Sequence, residues 1–168
     1  ITLDPGHGGT IPAGVTGESV GTSYNGLVEK EMTLKIANYL KEYLSQYKDV
    51  NVVMTRTDDT FMRVFNRAIV ARNNNSDLLL SIHINDMSVN DFTTKGVEAY
   101  VTANTSLPKY HEGTSNLANM MLNNLTQLGF ANRGIKTRLI STDTSEVYSD
   151  GTRADYYGII RYAMRGTM

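Results

Sequence analysis

Residues 77–85, Asp-Leu-Leu-Leu-Ser-Ile-His-Ile-Asn, form an almost unbroken apolar run of strand length. A strand wetted on one face alternates polar and apolar side chains, whereas a near-continuous run fits a strand buried on both faces, as in a parallel sheet covered by helices. The flanking pattern agrees. Residues 1–3, 51–55, 96–103 and 134–140 read as further strands, with 77–84 the central one. Residues 27–47, 60–74, 115–128 and 154–164 read as helices. Such alternation predicts an α/β fold, a single domain with a central, mostly parallel twisted sheet flanked by helices.

In the first helix Met32, Ile36, Leu40 and Tyr43 recur at helical spacing and are the expected buried face, with Asn25 as its cap. Val64, Ala68 and Ala71 play that part in the second helix, and Leu117, Met120, Met121 and Leu125 in the third. The polar stretches 104–113 and 141–152 read as loops. Residues 4–26 form a glycine-rich loop too long for a simple turn, and long loops of this kind often shape binding sites.

The chain has no cysteine, which excludes a thiolate metal site, a cysteine nucleophile and a disulfide framework. A net charge of −1 lacks the basic surplus of a nucleic-acid-binding protein. No apolar run is long enough for membrane insertion. The segment GHGGTIPAG has neither the GxGxxG spacing nor the Lys-Ser/Thr of a phosphate loop. Ser81 lacks the GxSxG setting of a serine hydrolase.

Chemistry gathers at two strand ends. His7 follows the first apolar run inside Asp-Pro-Gly-His-Gly-Gly, where Pro5, Gly6, Gly8 and Gly9 permit a sharp, rigid turn. His83 closes the run from Asp77. Glu29 falls in the first turn of the helix that follows the first strand's loop. In parallel sheets such positions share one rim, so two imidazoles and a carboxylate are expected to converge there, a ligand set for zinc with an open position. Asn85 shares the His83 face and is available to a substrate amide. Glu31, about 200° round the helix from Glu29, is expected to face solvent. Asp4 is expected to orient His7 or brace its turn. Arg56 and Arg67 are assigned to structure, with Asp58 as a partner for either. His111 falls in a polar stretch and is left outside the site.

These motifs resemble the zinc-dependent N-acetylmuramoyl-L-alanine amidases, the amidase-3 family. DPGHGG (residues 4–9) is similar to the family's opening motif, and NGLVEKEMTLKIANYL (25–40) to the segment carrying its ligand glutamate. The stretch starting at Thr55-Arg56 resembles its TRxxD, and SIHIN (81–85) the segment of its third ligand. Similarity continues through GVEAY (96–100) and NRGIK (132–136). The resemblance implies Zn2+ on His7, Glu29 and His83. It implies hydrolysis of the bond between N-acetylmuramic acid and L-alanine, with peptidoglycan glycan and stem peptide as partners. It further implies an extracellular, cell-wall location and a separate wall-binding domain in the full protein. Lys136 and Arg138 are expected to meet stem-peptide carboxylates.

Two departures stand out. Thr10-Ile11-Pro12 occupies the place where the family often has an acidic residue, and Glu18 comes later. The family's catalytic glutamate lies on a late strand, after a helix like residues 156–164. No residue here matches it, and Glu146 is out of order. Residues 1–168 are therefore read as an amidase catalytic domain cut short at its C-terminal end, lacking its final strand, with the general base beyond Met168. A zinc peptidase acting on another amide and a non-catalytic wall-binding module are the alternatives.

Overall fold

The computed structural model describes residues 1–86, 93–105, 108–141 and 146–164. They fall into two compact units, one ending at Asp86 and one following it. The expected loops at 104–113 and 141–152, and the chain's end, lie partly outside the described residues.

In the first unit, β1 (Thr2–Pro5) is the middle strand of a three-stranded parallel sheet, between β4 (Val53–Met54) and β5 (Leu79–Ile82). Thr2 pairs with both Val53 and Leu79, and the β5 register runs on to Pro5 opposite Ile82. The sequence pattern places 77–84 at the centre, but within this sheet β5 flanks β1 and is only partly buried, while β1 is buried throughout. Hydropathy undervalues β1 because Thr2 and Asp4 are buried through hydrogen bonds, Thr2 Oγ1 with Ser76 Oγ at 2.7 Å among them.

A two-stranded hairpin precedes the first helix: β2 (Ser23–Tyr24) pairs antiparallel with β3 (Leu27–Val28). Its turn is Asn25-Gly26, with φ of 50° and 79°. Two left-handed residues in an Asn-Gly pair are the chemistry of a tight hairpin turn whose twist matches its strands. Asn25 is therefore a turn residue and not the expected helix cap. Helix α1 (Glu29–Leu44) starts with Val28 as N-cap and no side-chain cap, and the Glu29 N–H donates to the Thr22 carbonyl at 2.9 Å.

The buried stripe of α1 is Glu29, Thr33 and Ala37, not the Met32–Tyr43 stripe; Ile36 and Tyr43 are exposed. Small side chains let the helix lie close over β1, so that the Thr33 hydroxyl donates to the Gly6 carbonyl at 2.9 Å. Helix α2 (Val64–Asn73) buries Arg67, Ala68 and Ala71.

In the second unit β6 (Val97–Tyr100) pairs parallel with β7 (Asn132–Lys136), with a register shift between Val97 and Ala99. Helix α3 (Pro108–Gln127) packs on both strands and starts seven residues earlier than expected, with Pro108 at its first position, where proline costs no hydrogen bond. Helix α4 (Gly158–Met164) starts later than expected because Ala154 and Asp155 are held outside it. The buried Asp155 carboxylate accepts from Thr102 Oγ1 and Tyr148 Oη, each at 2.6 Å, and from the Ala103 amide at 2.8 Å.

Candidate metal centre

Strands β1, β4 and β5 run parallel, so the residues after Pro5, Met54 and Ile82 leave one edge of the sheet. The chain after Pro5 bends through His7 (φ 60°), Gly8 (φ 125°) and Gly9 (φ 63°). A left-handed conformation costs a non-glycine residue about 1 kcal/mol, so His7 must be held there. Two buried arginines hold it. Arg56 donates to the carbonyls of Pro5 (3.0 Å), Gly6 (2.9 Å), Asp58 (2.8 Å) and Lys30 (2.6 Å). Arg67 donates to the Asp4 carboxylate (2.8 Å) and to the carbonyls of Pro5 (2.8 Å) and His7 (2.6 Å). The structural role expected for both arginines is therefore specific: they satisfy the carbonyls of the turn. Arg56 meets the backbone of Asp58, and Arg67 pairs with Asp4.

Glu29 is delivered as the first residue of α1 and is 5% exposed. Its Oε2 accepts from the Thr22 amide at 3.0 Å and its Oε1 from the Ile84 amide at 2.9 Å. Glu31 is exposed, as expected. His83 follows β5 directly. Gly6 lies against its ring so closely that a Cβ there would overlap the imidazole.

The three side chains converge. Their ligand-type atoms lie within 4.8 Å of one another. His83 Nδ1 is 3.1 Å from both His7 Nε2 and Glu29 Oε1, and His7 Nε2 is 3.3 Å from Glu29 Oε2. A tetrahedral ion with bonds of about 2.0–2.1 Å spaces its ligand atoms about 3.3 Å apart, and the closest approaches, which use both Glu29 oxygens, are of that size. His7 Nδ1 lies 2.9 Å from the Ser19 carbonyl. A carbonyl only accepts, so Nδ1 carries a proton, and Nε2 is the nitrogen that faces the centre.

Electrostatics agree with the geometry. Burial alone would raise the Glu29 pKa, but hydrogen bonds from His7, His83 and the Thr22 and Ile84 amides outweigh it and hold the carboxyl far below its ordinary range. Burial likewise opposes charge on His7, yet the bonds to Glu29 and Ser19 raise its pKa above the ordinary 6.5. The centre is thus anionic at the carboxylate and draws cations.

Asp4 braces the turn and does not touch the His7 ring: it accepts from Thr55 Oγ1 and Ser81 Oγ, each at 2.6 Å, besides Arg67. Asn85 lies in the exposed segment just past His83. In the second unit Lys136 Nζ pairs with Glu98 at 2.5 Å and Arg138 stacks over the Tyr156 ring at 3.6 Å. His111 sits in α3 with Nδ1 2.9 Å from the Thr102 carbonyl. Sequence reasoning missed Ser19 and Thr22, whose contributions come from the backbone. Their only trace was the glycine-rich composition of the loop.

The Amidase_3 family, described as N-acetylmuramoyl-L-alanine amidase, matches residues 1–153. A sporulation-specific N-acetylmuramoyl-L-alanine amidase of Bacillus subtilis is 34% identical over 82% of this chain and 48% of its own length. An endolysin of Bacillus phage SPP1 is 35% identical over 63% of this chain and 35% of its own. A solved N-acetylmuramoyl-L-alanine amidase from Clostridium difficile 630 superposes with a TM-score of 0.65 at 33% identity, covering 80% of this chain and 66% of that one. The chain thus spans about half, or less, of the length of these curated relatives.

Proposed function

Because this chain belongs to the Amidase_3 family of N-acetylmuramoyl-L-alanine amidases, we propose that it hydrolyses the amide between N-acetylmuramic acid and L-alanine in peptidoglycan, with zinc on His7, Glu29 and His83. The observation that carries the reading is the convergence of those three side chains, with one ligand-type atom of each within 4.8 Å of the others. Two imidazoles with one carboxylate are the donor set of open zinc sites.

When bound, zinc would supply Lewis acidity, activating water and polarising an amide carbonyl at neutral pH. The chain's own residues prepare the place. The Ser19 carbonyl fixes the His7 proton on Nδ1. The Thr22 and Ile84 amides aim the two Glu29 oxygens. The His83 side chain is 43% exposed, which leaves that side open to a substrate amide. Among the described residues Glu29 is the only carboxylate in the cluster. As a ligand it is not free to act as base, and the resemblance assigns that role to a glutamate on a late strand that no residue of 1–168 matches.

Residues 1–168 then constitute the amidase catalytic domain of a protein that acts at the cell wall, outside the cell, alongside a separate wall-binding domain. No helix among the described residues is long and apolar enough to cross a membrane. Asn85, Lys136 and Arg138 are assigned to substrate. Since Lys136 already holds Glu98 and Arg138 stacks on Tyr156, a rise in KM with unchanged kcat on truncation would distinguish substrate contact from support.

The test is zinc content and muropeptide cleavage, measured together on this chain and on one extended past Met168. One zinc in both, with cleavage only by the longer chain, is expected. Zinc without cleavage in either would replace the amidase with a wall-binding module, and absence of zinc in both would remove the triad as a metal site.

A further inference from the structure

We infer that residues 18–22 form a strap that holds the His7 ring and the Glu29 carboxylate in place, and that Glu18 is the positioning residue that anchors it.

Glu18 stands out in its loop. Thr16, Gly17, Ser19 and Val20 are exposed, while Glu18 is half-buried. Its Oε1 accepts the Val64 amide at 3.2 Å, 46 residues away in sequence. Val64 opens α2, whose N-cap residue Arg63 supplies no side-chain cap. Glu18 fills that role from outside the helix, with its charge at the positive end of the helix dipole. The same helix carries Arg67, which holds the His7 carbonyl. One rigid element therefore grips both the turn that presents His7 and the strap that meets its ring.

Three of the next four residues lie against the ligands. The Ser19 carbonyl takes the His7 Nδ1 proton at 2.9 Å, and Ser19 Oγ accepts the Gly21 amide at 3.1 Å, closing a local turn. Gly21 has φ of 89°, and a Cβ on it would stand 3.0 Å from the His7 ring and 3.1 Å from Glu29 Oε2. Only a glycine lets the backbone pass flat over both. Thr22 completes the contact: its amide donates to Glu29 Oε2 and its carbonyl accepts the Glu29 amide. If Glu18 lets go, the Ser19 carbonyl is no longer held in place, and the ring that turns Nε2 to the centre loses the contact on its other nitrogen. The inference rests on the proposed metal reading for its purpose, but the Nδ1–H contact with Ser19 is present without metal.

Three variants test it. Glu18→Ala removes the anchor. Val64→Pro removes only the N–H it accepts, since proline suits the first helical position and Arg63 already has the extended backbone (φ −61°, ψ 143°) that precedes proline. Glu18→Gln keeps an accepting oxygen. Proton NMR of the metal-free protein reads how fast the His7 Nδ1–H exchanges with solvent, and a competition titration reads the zinc Kd. Wild type and Glu18→Gln are expected to show a slowly exchanging Nδ1–H. Glu18→Ala and Val64→Pro are expected to show faster exchange, with zinc bound about 10–100-fold more weakly. Unchanged exchange and Kd in both variants would overturn the strap, even if melting temperature fell, because loss of a helix cap alone lowers stability without freeing a ring proton. Should Glu18→Ala fail to fold, Val64→Pro decides. A wild type that binds no zinc yet keeps a slowly exchanging Nδ1–H would overturn the metal reading while the variants still decide the strap.

Discussion

Arg67 and His7, 60 residues apart, are joined by a 2.6 Å hydrogen bond from the guanidinium to the backbone carbonyl. The bond fixes the left-handed residue of the site, and a second nitrogen of the same guanidinium holds Asp4. Both side chains of that ion pair are buried, 4% and 1% exposed. Arg67→Ala is expected to cost about 3–5 kcal/mol, the range for stranding one partner of a buried pair. Urea unfolding checks this through a lower midpoint at unchanged slope, and a loss below about 1 kcal/mol would contradict it.

Gly6 has no side chain where the His83 ring lies. In Gly6→Ala the new methyl must push the ring or the strand end aside. We expect about 1–3 kcal/mol of destabilisation from overpacking and zinc affinity at least about tenfold weaker, from displacement of one ligand. Calorimetric titration of folded Gly6→Ala with zinc settles it.

The metal-free and zinc-loaded chains should respond to pH in opposite directions. His7 has its pKa raised above 6.5 by folding, so without metal its contribution to stability is full below 6.5 and is lost as pH climbs through the raised value. Glu29, with its pKa depressed, adds stability that is lost only as pH falls well below 4.5. Zinc needs His7 deprotonated, so its affinity should rise through the same window, about tenfold per pH unit for each proton displaced. Melting curves with and without zinc across pH 6–9, a window of about three units around that transition, would show the two trends, and parallel trends would refute the assignment.

In the second unit Tyr148 Oη donates to the buried Asp155 carboxylate, and burial followed by that bond pushes the phenol pKa up. Tyr148→Phe should cost about 1.5–3 kcal/mol, the range for a hydrogen bond to a charged group. Asp155 keeps Thr102 and the Ala103 amide, so the variant should still fold. Chemical denaturation gives the value.

The parallel sheet and the triad were legible because each rests on side-chain pattern. The run 77–84 carries a strand in its composition, though not its flanking, half-buried place in the sheet; His7 sits among glycines that allow a sharp turn, and Glu29 falls on the buried side of a helix where a bare carboxylate needs partners. What stayed hidden is made by backbone groups or by context. Asn25-Gly26 had the chemistry of a hairpin turn, yet it stood beside a strong helical pattern and was assigned to a cap. The α1 face was placed on Met32 and Tyr43 because large apolar residues suggest burial, whereas close approach to β1 selected Thr33 and Ala37. Arg56 and Arg67 read as structural, but their partners stayed hidden, since nothing in a sequence says that a turn has carbonyls needing donors.

The middle strand of the first sheet is also the first to be synthesised. On a ribosome β1 emerges with neither neighbour available, and the residues that flank it arrive roughly 50 and 80 positions later. Arg56 and Arg67, which hold the His7 turn, follow it by about 50 and 60 positions, and His83 comes later still. A nascent chain therefore assembles the triad only once the whole first unit has been synthesised, so binding of the proposed ion comes last.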